Sequence, residues 1–330
     1  MPRLLKRGLN LWLVMGFVAV AISGCDDGDR PHVANKFEVV RSHMASWLAE
    51  AGDDLPIKSA SFLKETVIDD WGKQDAFYQI ISVRESDDYT NEGHIPNAIN
   101  IFWKDIVNAG SLSQISNTKR VVFYCYTGHS GMLATTLLGL LDYDALDLKF
   151  GMMDWNLDAL NMPPWDMAAD YPIETTVNAA EGVYALPTLE SAFDDPKNII
   201  KELAAAYLPA ASPLVSASSV KDKVDDWDKE KSSFQIVSVR SASKYEAGHL
   251  PHAINISWKT IADVDNLKKL DPEKTTIVYC DTGHTAQIAA TALNLLGYRT
   301  LNMVFGMMDW NKDHVEESMQ WDGVADYPVD

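Results

Sequence analysis

The chain has 330 residues, long enough for two ordinary domains that each bury a core of their own. Hydrophobic residues make up 47% and charged residues 23%, while 28 basic against 47 acidic side chains leave a net charge of −19. Such a surface is repelled by phosphate backbones, and no basic stripe or arginine cluster offsets it, which excludes nucleic acid as a partner.

Arg3, Lys6 and Arg7 precede the apolar run LWLVMGFVAVAI (11–22), the layout of an export signal. The tetrapeptide ISGC (22–25) then resembles the lipobox of bacterial lipoproteins. That resemblance implies a lipoprotein signal peptide over 1–24 and lipidation of Cys25 on both its thiol and its freed amine. Several acyl chains, at about 0.8 kcal/mol per buried methylene, make a firm membrane anchor. An uncleaved signal anchor is the alternative. Either way the implied location is the bacterial cell envelope, facing the periplasm, and by resemblance to enterobacterial lipoproteins Asp26 after the cysteine would favour the inner membrane. Residues 25–36 read as a polar tether.

Beyond the tether the sequence says most things twice. FYQIISVR (77–84) returns as FQIVSVR (234–240), and GHIPNAINIFWK (93–104) as GHLPHAINISWK (248–259). VVFYCYTGHSG (121–131) returns as TIVYCDTGHTA (276–286), FGMMDWN at 150–156 recurs at 305–311, and ADYPI (169–173) returns as ADYPV (325–329). Within each copy, short β-branched runs alternate with helical stretches. YQIISV, AINI, RVVFYC and LDLKF predict strands in the first copy, and FQIVSV, AINI, TTIVYC and LNMVF in the second. Residues 130–141 and 285–296 predict helices apolar enough to cover a sheet. This alternation predicts an α/β fold with two tandem domains, each a parallel sheet flanked by helices on both faces. The expected bounds are 37–178 for the first domain, 179–197 for an acidic, proline-marked linker and 198–330 for the second. Asp154 and Asp309 are expected to cap turns in the repeated FGMMDWN, with its methionines and tryptophans packed inside.

Two of the three cysteines, Cys125 and Cys280, end a strand and open a short loop into a helix, reading CYTGHS (125–130) and CDTGHT (280–285). This puts each sulfur at the carboxyl edge of a sheet, where ligands bind in such folds. The helix start presents unpaired N–H groups, and Gly128 or Gly283 lets the loop curl so that amides point inward. Both features favour a thiolate, so each cysteine is expected to ionise below the free value of about 8.5. Ser130 and Thr285 can donate hydroxyl hydrogen bonds to the sulfur or its substrate.

A loop of form C-x-x-G-x-[S/T] after a strand resembles the active-site loop of the rhodaneses, the thiosulfate sulfurtransferases. The upstream SVRESDDYTNEGHIPNAIN (82–100) and SVRSASKYEAGHLPHAIN (238–255) resemble that family's second signature. The resemblance implies sulfur transfer through a cysteine persulfide on Cys125 and Cys280. Sulfane sulfur would come from thiosulfate, polysulfide or a persulfide and go to a thiophilic acceptor such as a thiol. It further implies a substrate cradle of Tyr126, Thr127, Gly128, His129 and Ser130 in one copy and Asp281, Thr282, Gly283, His284 and Thr285 in the other. No metal and no organic cofactor is required.

The sequence departs from that pattern in places. Serine replaces the usual acidic residue before V-R in both copies (Ser82 and Ser238), so Arg84 and Arg240 need other partners. These arginines, with His94 and His249, read as structural. Asp281 is expected to repel an anionic donor, which favours Cys125 over Cys280 for turnover. His129 and His284 could supply a proton or positive charge, or could be exposed loop residues. A phosphatase or arsenate reductase would need an arginine in the loop, and neither loop has one. Cys–His pairs supply only two metal ligands each, and a Cys125–Cys280 disulfide would join two loop floors in separate domains. The remaining alternative is a non-catalytic sulfur-sensing or protein-interaction module.

Overall fold

In a computed structural model, residues 35–51, 55–166 and 169–330 are described; Cys25, the signal peptide and nearly all of the tether lie outside them. Each repeat forms a five-stranded, wholly parallel sheet. The first runs β1 (Ile57–Lys58), β5 (Ala145–Leu148), β4 (Arg120–Tyr124), β2 (Tyr78–Ser82), β3 (Ile99–Asn100). The second repeats that order with β6 (Leu214–Val215), β10 (Arg299–Met303), β9 (Thr275–Tyr279), β7 (Phe234–Ser238), β8 (Ile254–Asn255). Parallel strands need crossovers, and the helices that supply them cover both faces. Burial along β4 and β9 is continuous after the first residue, as expected of central strands walled on two sides.

The expected helices begin one residue early, as His129–Leu140 and His284–Leu295. The helices Lys36–Glu50 and Pro196–Tyr207 recur as a pair and pack against each other, burying Val40, Met44, Ile200 and Ala204. Side chains of both repeats join in the same apolar clusters, so Leu133 and Leu137 of one share a core with Ile288 and Leu293 of the other.

The repeated ADYP segments do not stay with the copy they follow. Ala169 and Tyr171 donate their amides to Asp309 O (2.9 Å) and Trp310 O (2.8 Å), and Trp310 Nε1 donates to Pro172 O (2.8 Å). Symmetrically, Ala325 and Tyr327 donate to Asp154 O and Trp155 O (2.9 Å each), and Trp155 Nε1 donates to Pro328 O (2.9 Å). Each repeat therefore wears a strap that belongs, by sequence, to the other. The FGMMDWN motifs form short helices, Met152–Trp155 and Gly306–Trp310, with their methionines and tryptophans buried. Neither aspartate caps its turn: Asp154 Oδ2 accepts from the amide of Ala60 (3.3 Å) and Asp309 Oδ1 from Trp165 Nε1 (3.1 Å).

Candidate active site

Cys125 and Cys280 stand one residue past the central strands β4 and β9, and both are free thiols, 2% and 4% exposed. The chain then turns through Gly128 and Gly283 at φ of 85° and 86°, the left-handed region that a side chain at Cβ disfavours. That turn swings successive amides onto the sulfur. Thr127, Ser130 and Gly131 present theirs to Cys125, and Thr282 and Ala286 theirs to Cys280, where Gly283 N also donates to Sγ (3.1 Å). The Thr285 hydroxyl bonds to Cys280, as expected, whereas Ser130 reaches its cysteine through the backbone.

The expected fall in thiol pKa is not found. Burial pushes both thiols up, with Asp147 adding to the effect at Cys125 and Asp281 at Cys280. The inward amides pull the other way, but desolvation of a nearly sealed sulfur outweighs them. At rest each site holds a neutral thiol.

His129 and His284 are fully buried rather than exposed. His284 Nε2 accepts from the amide of Phe150 (3.3 Å), and His129 Nε2 from that of Phe305 (3.2 Å), each across the boundary between repeats. An accepting Nε2 places the ring proton on Nδ1, which donates to Thr127 Oγ1 (2.9 Å) or Thr282 Oγ1 (3.0 Å). Burial lowers His129 to about 4 and His284 well below the ordinary imidazole value. The rings are therefore neutral and cannot supply positive charge. A Cβ at Gly128 would overlap His284 Nε2, and one at Gly283 would overlap His129 Nε2, so each loop glycine is packed by the other loop's histidine.

At the second loop position the copies differ. Asp281 pairs with Arg240 Nε (2.7 Å) and Lys244 Nζ (3.0 Å), which offsets part of its charge, yet it still raises the Cys280 thiol and so bears against an anionic sulfur there. Tyr126 instead donates its hydroxyl to Asp88, leaving Arg84 buried on the carbonyls of Ala159 (2.9 Å) and Gly93 (2.5 Å) and 5.8 Å from the Tyr124 and Tyr126 rings. Arg240 likewise donates to Gly248 O (2.8 Å) and His314 O (2.6 Å). His94 and His249 stack on Tyr89 and Tyr245 (3.9 and 3.7 Å between centroids), which fits the structural role expected of all four residues.

One buried residue beside this site escaped sequence reasoning. Asp147 on β5 is fully buried and no hydrogen-bond donor reaches either carboxylate oxygen. Its signal was present in the repeat alignment, since Asn302 stands at the same place in the second copy. Among the described residues, no group of three or more His, Cys, Asp or Glu side chains is arranged to hold a metal ion.

A parallel α/β sheet with a cysteine at the strand-to-helix turn, cradled by loop amides and present twice, defines a class of thiol-bearing anion cradles. The family model described as "Rhodanese-like domain" matches residues 67–158 and 216–313, more than half of the chain, and the chain belongs to that family. Among its relatives, YrkF of Bacillus subtilis is 28% identical over 99 residues, 30% of this chain and 50% of that one. The thiosulfate sulfurtransferase GlpE of Pseudomonas savastanoi pv. phaseolicola is 29% identical over 86 residues, 26% of this chain and 79% of that one. This chain thus spans half the length of YrkF. The crystal structure of a thiosulfate sulfurtransferase from Pseudomonas aeruginosa aligns over 88% of this chain and 49% of that one, at 18% identity and a TM-score of 0.30.

Proposed function

We propose that the protein is a sulfurtransferase that carries sulfane sulfur as a persulfide on Cys125 and Cys280. The observation that carries this reading is the convergence of loop amides on both sulfurs. Fixed N–H groups around a sulfur favour its anionic forms, thiolate and persulfide, without reorganising during reaction. In the first half-reaction the thiol gives its proton to solvent, and the thiolate attacks the outer sulfur of thiosulfate. An S–S bond forms to cysteine as the bond to the sulfonate sulfur breaks, and sulfite leaves with the electron pair. In the second, an acceptor thiolate attacks the terminal sulfur of the persulfide, takes it, and returns the cysteine thiolate.

Because both sulfurs are almost wholly buried and neutral at rest, the donor enters only when a loop or the boundary between repeats opens. Opening rehydrates the sulfur, removes the desolvation that raises its pKa, and leaves the amides to act. The test is incubation with thiosulfate or polysulfide, followed by mapping of persulfides by mass spectrometry in wild type, Cys125→Ser and Cys280→Ser. Labelling at both thiols, lost singly in each variant, is expected. Labelling at neither overturns the reading and favours a sulfur-sensing or interaction module, which the sealed thiols would suit.

We further propose that Cys25 carries the lipid anchor and holds the protein on the inner membrane, facing the periplasm. The lipobox-like ISGC supports this. Metabolic labelling with a clickable palmitate tests it: Cys25→Ala should lose the label, and label retained by that variant overturns it.

A further inference from the structure

The two cysteine loops are near copies, yet the residue beneath them differs. Asp147 on β5 pairs in register with Phe123 on β4, and Asn302 on β10 with Val278 on β9, which are equivalent positions. In the second repeat the Asn302 amide nitrogen donates to Gly283 O (3.0 Å) and Gln287 Oε1 (3.0 Å), pinning the Cys280 loop at its glycine. In the first repeat Met132 replaces that glutamine and Asp147 replaces the asparagine. Gly131 replaces Ala286, and a Cβ at 131 would overlap Asp147 Oδ1. The site has been fitted to a carboxyl group.

An ionised Asp147 would be a bare buried charge, since no donor reaches it. His284 Nε2, 3.9 Å from Oδ2, has its lone pair committed to the Phe150 amide and no proton to offer, so the two are not an ion pair. Asp147 Oδ1 abuts Gly131, whose amide is presented to Cys125, and the Asp147 charge pushes that thiol up. Lys149, two residues along, is turned to Met319 O (3.0 Å). As a neutral acid, Asp147 has one O–H to give, and the acceptor equivalent to Gly283 O is Gly128 O.

We propose that Asp147 is a positioning residue for Cys125: as a neutral acid it holds the loop through the Gly128 carbonyl, and because the enclosure admits one negative charge, it sets the pH at which Cys125 carries an anionic sulfur. Cys280, over a fixed amide, is free of that control. The two cysteines therefore differ in when they accept sulfur, and in this respect the inference rests on the persulfide reading.

The experiment compares iodoacetamide alkylation of each cysteine, resolved by mass spectrometry, in full-length wild type, Asp147→Asn and Asn302→Asp between about pH 5 and pH 10. Asp147→Asn is expected to keep its circular dichroism, since the second repeat already carries asparagine there, and to lower the alkylation midpoint of Cys125 by about one pH unit or more. Asn302→Asp is expected to raise the midpoint of Cys280. A folded Asp147→Asn protein whose Cys125 midpoint is unchanged or raised overturns the proposal, as does failure of Cys125 to titrate anywhere in that range. Should Asn302→Asp not fold, Asp147→Asn decides alone. Alkylation needs no sulfur donor, so failure here is distinct from failure to form persulfide.

Discussion

His129 and His284, 155 positions apart in the chain, lie ring beside ring with centroids 5.3 Å apart and planes 20° from parallel. Each takes a backbone amide from the other's repeat and fills the space that the other's loop glycine leaves open. Truncating His284 should therefore disturb Cys125 in the opposite repeat. His284→Ala opens a cavity and strands the Phe150 N–H, together costing about 2–4 kcal/mol. Alkylation of Cys125 should accelerate at least as much as that of Cys280. The double variant His129→Ala/His284→Ala should cost less than the two single losses combined, read from denaturant midpoints. Strict additivity would mean that the two rings do not support each other.

Acid should weaken the fold through the same rings. His129 is lowered from 6.5 to about 4 in the native protein, so its contribution is complete above pH 6.5 and is lost as pH falls towards 4. Two to three pH units correspond to on the order of 3 kcal/mol. His129→Gln, which cannot charge, should flatten the decline of the melting temperature between pH 6.5 and 4.

Asp147 has the opposite sign. Burial holds its acid well above 3.8, so the stability it lends is complete below pH 3.8 and is lost as pH rises through the folded value. Asp147→Asn should accordingly be more stable than wild type near pH 8, with the advantage shrinking towards pH 4. Thermal melts at several pH values check this, and a constant difference between the proteins would contradict it.

Asp281 balances Arg240, which is 4% exposed, and raises the Cys280 thiol. Asp281→Asn should cost about 3 kcal/mol by leaving that guanidinium without a counter-charge. It should also lower the alkylation midpoint of Cys280 and leave that of Cys125 in place.

Removing residues 325–330 should uncover Trp155 and release the hydrogen bonds that the strap makes with Asp154, Trp155, Asn156 and His94. At about 0.5–1.5 kcal/mol each, loss of these seven bonds should cost roughly 4–10 kcal/mol. Tryptophan emission should shift to the red and the melting temperature should drop.

The sheets, the covering helices and the placing of both cysteines were legible in the sequence, because β-branched runs, helical periodicity and the duplication all pointed the same way. The inward amides followed from a glycine between strand and helix. What could not be read depended on contacts between the copies. No spacing rule says that His129 meets Phe305, or that ADYPI leaves the repeat it follows. The pKa of the thiols was misjudged for a related reason: amides that favour a thiolate are local, whereas the burial that opposes it comes from packing the repeats together. The pairing of Asp281 is hidden in the sequence because its partners, Arg240 and the helical Lys244, come from the segment that follows β7.

The exchanged straps bear on how the molecule comes apart. With Trp155 tied to Pro328 and Trp310 to Pro172, neither half can melt without undressing the other, so calorimetry should record one endotherm in place of two. A nascent first half, emerging before residues 325–330 exist, must wait for that segment to close its own tryptophan.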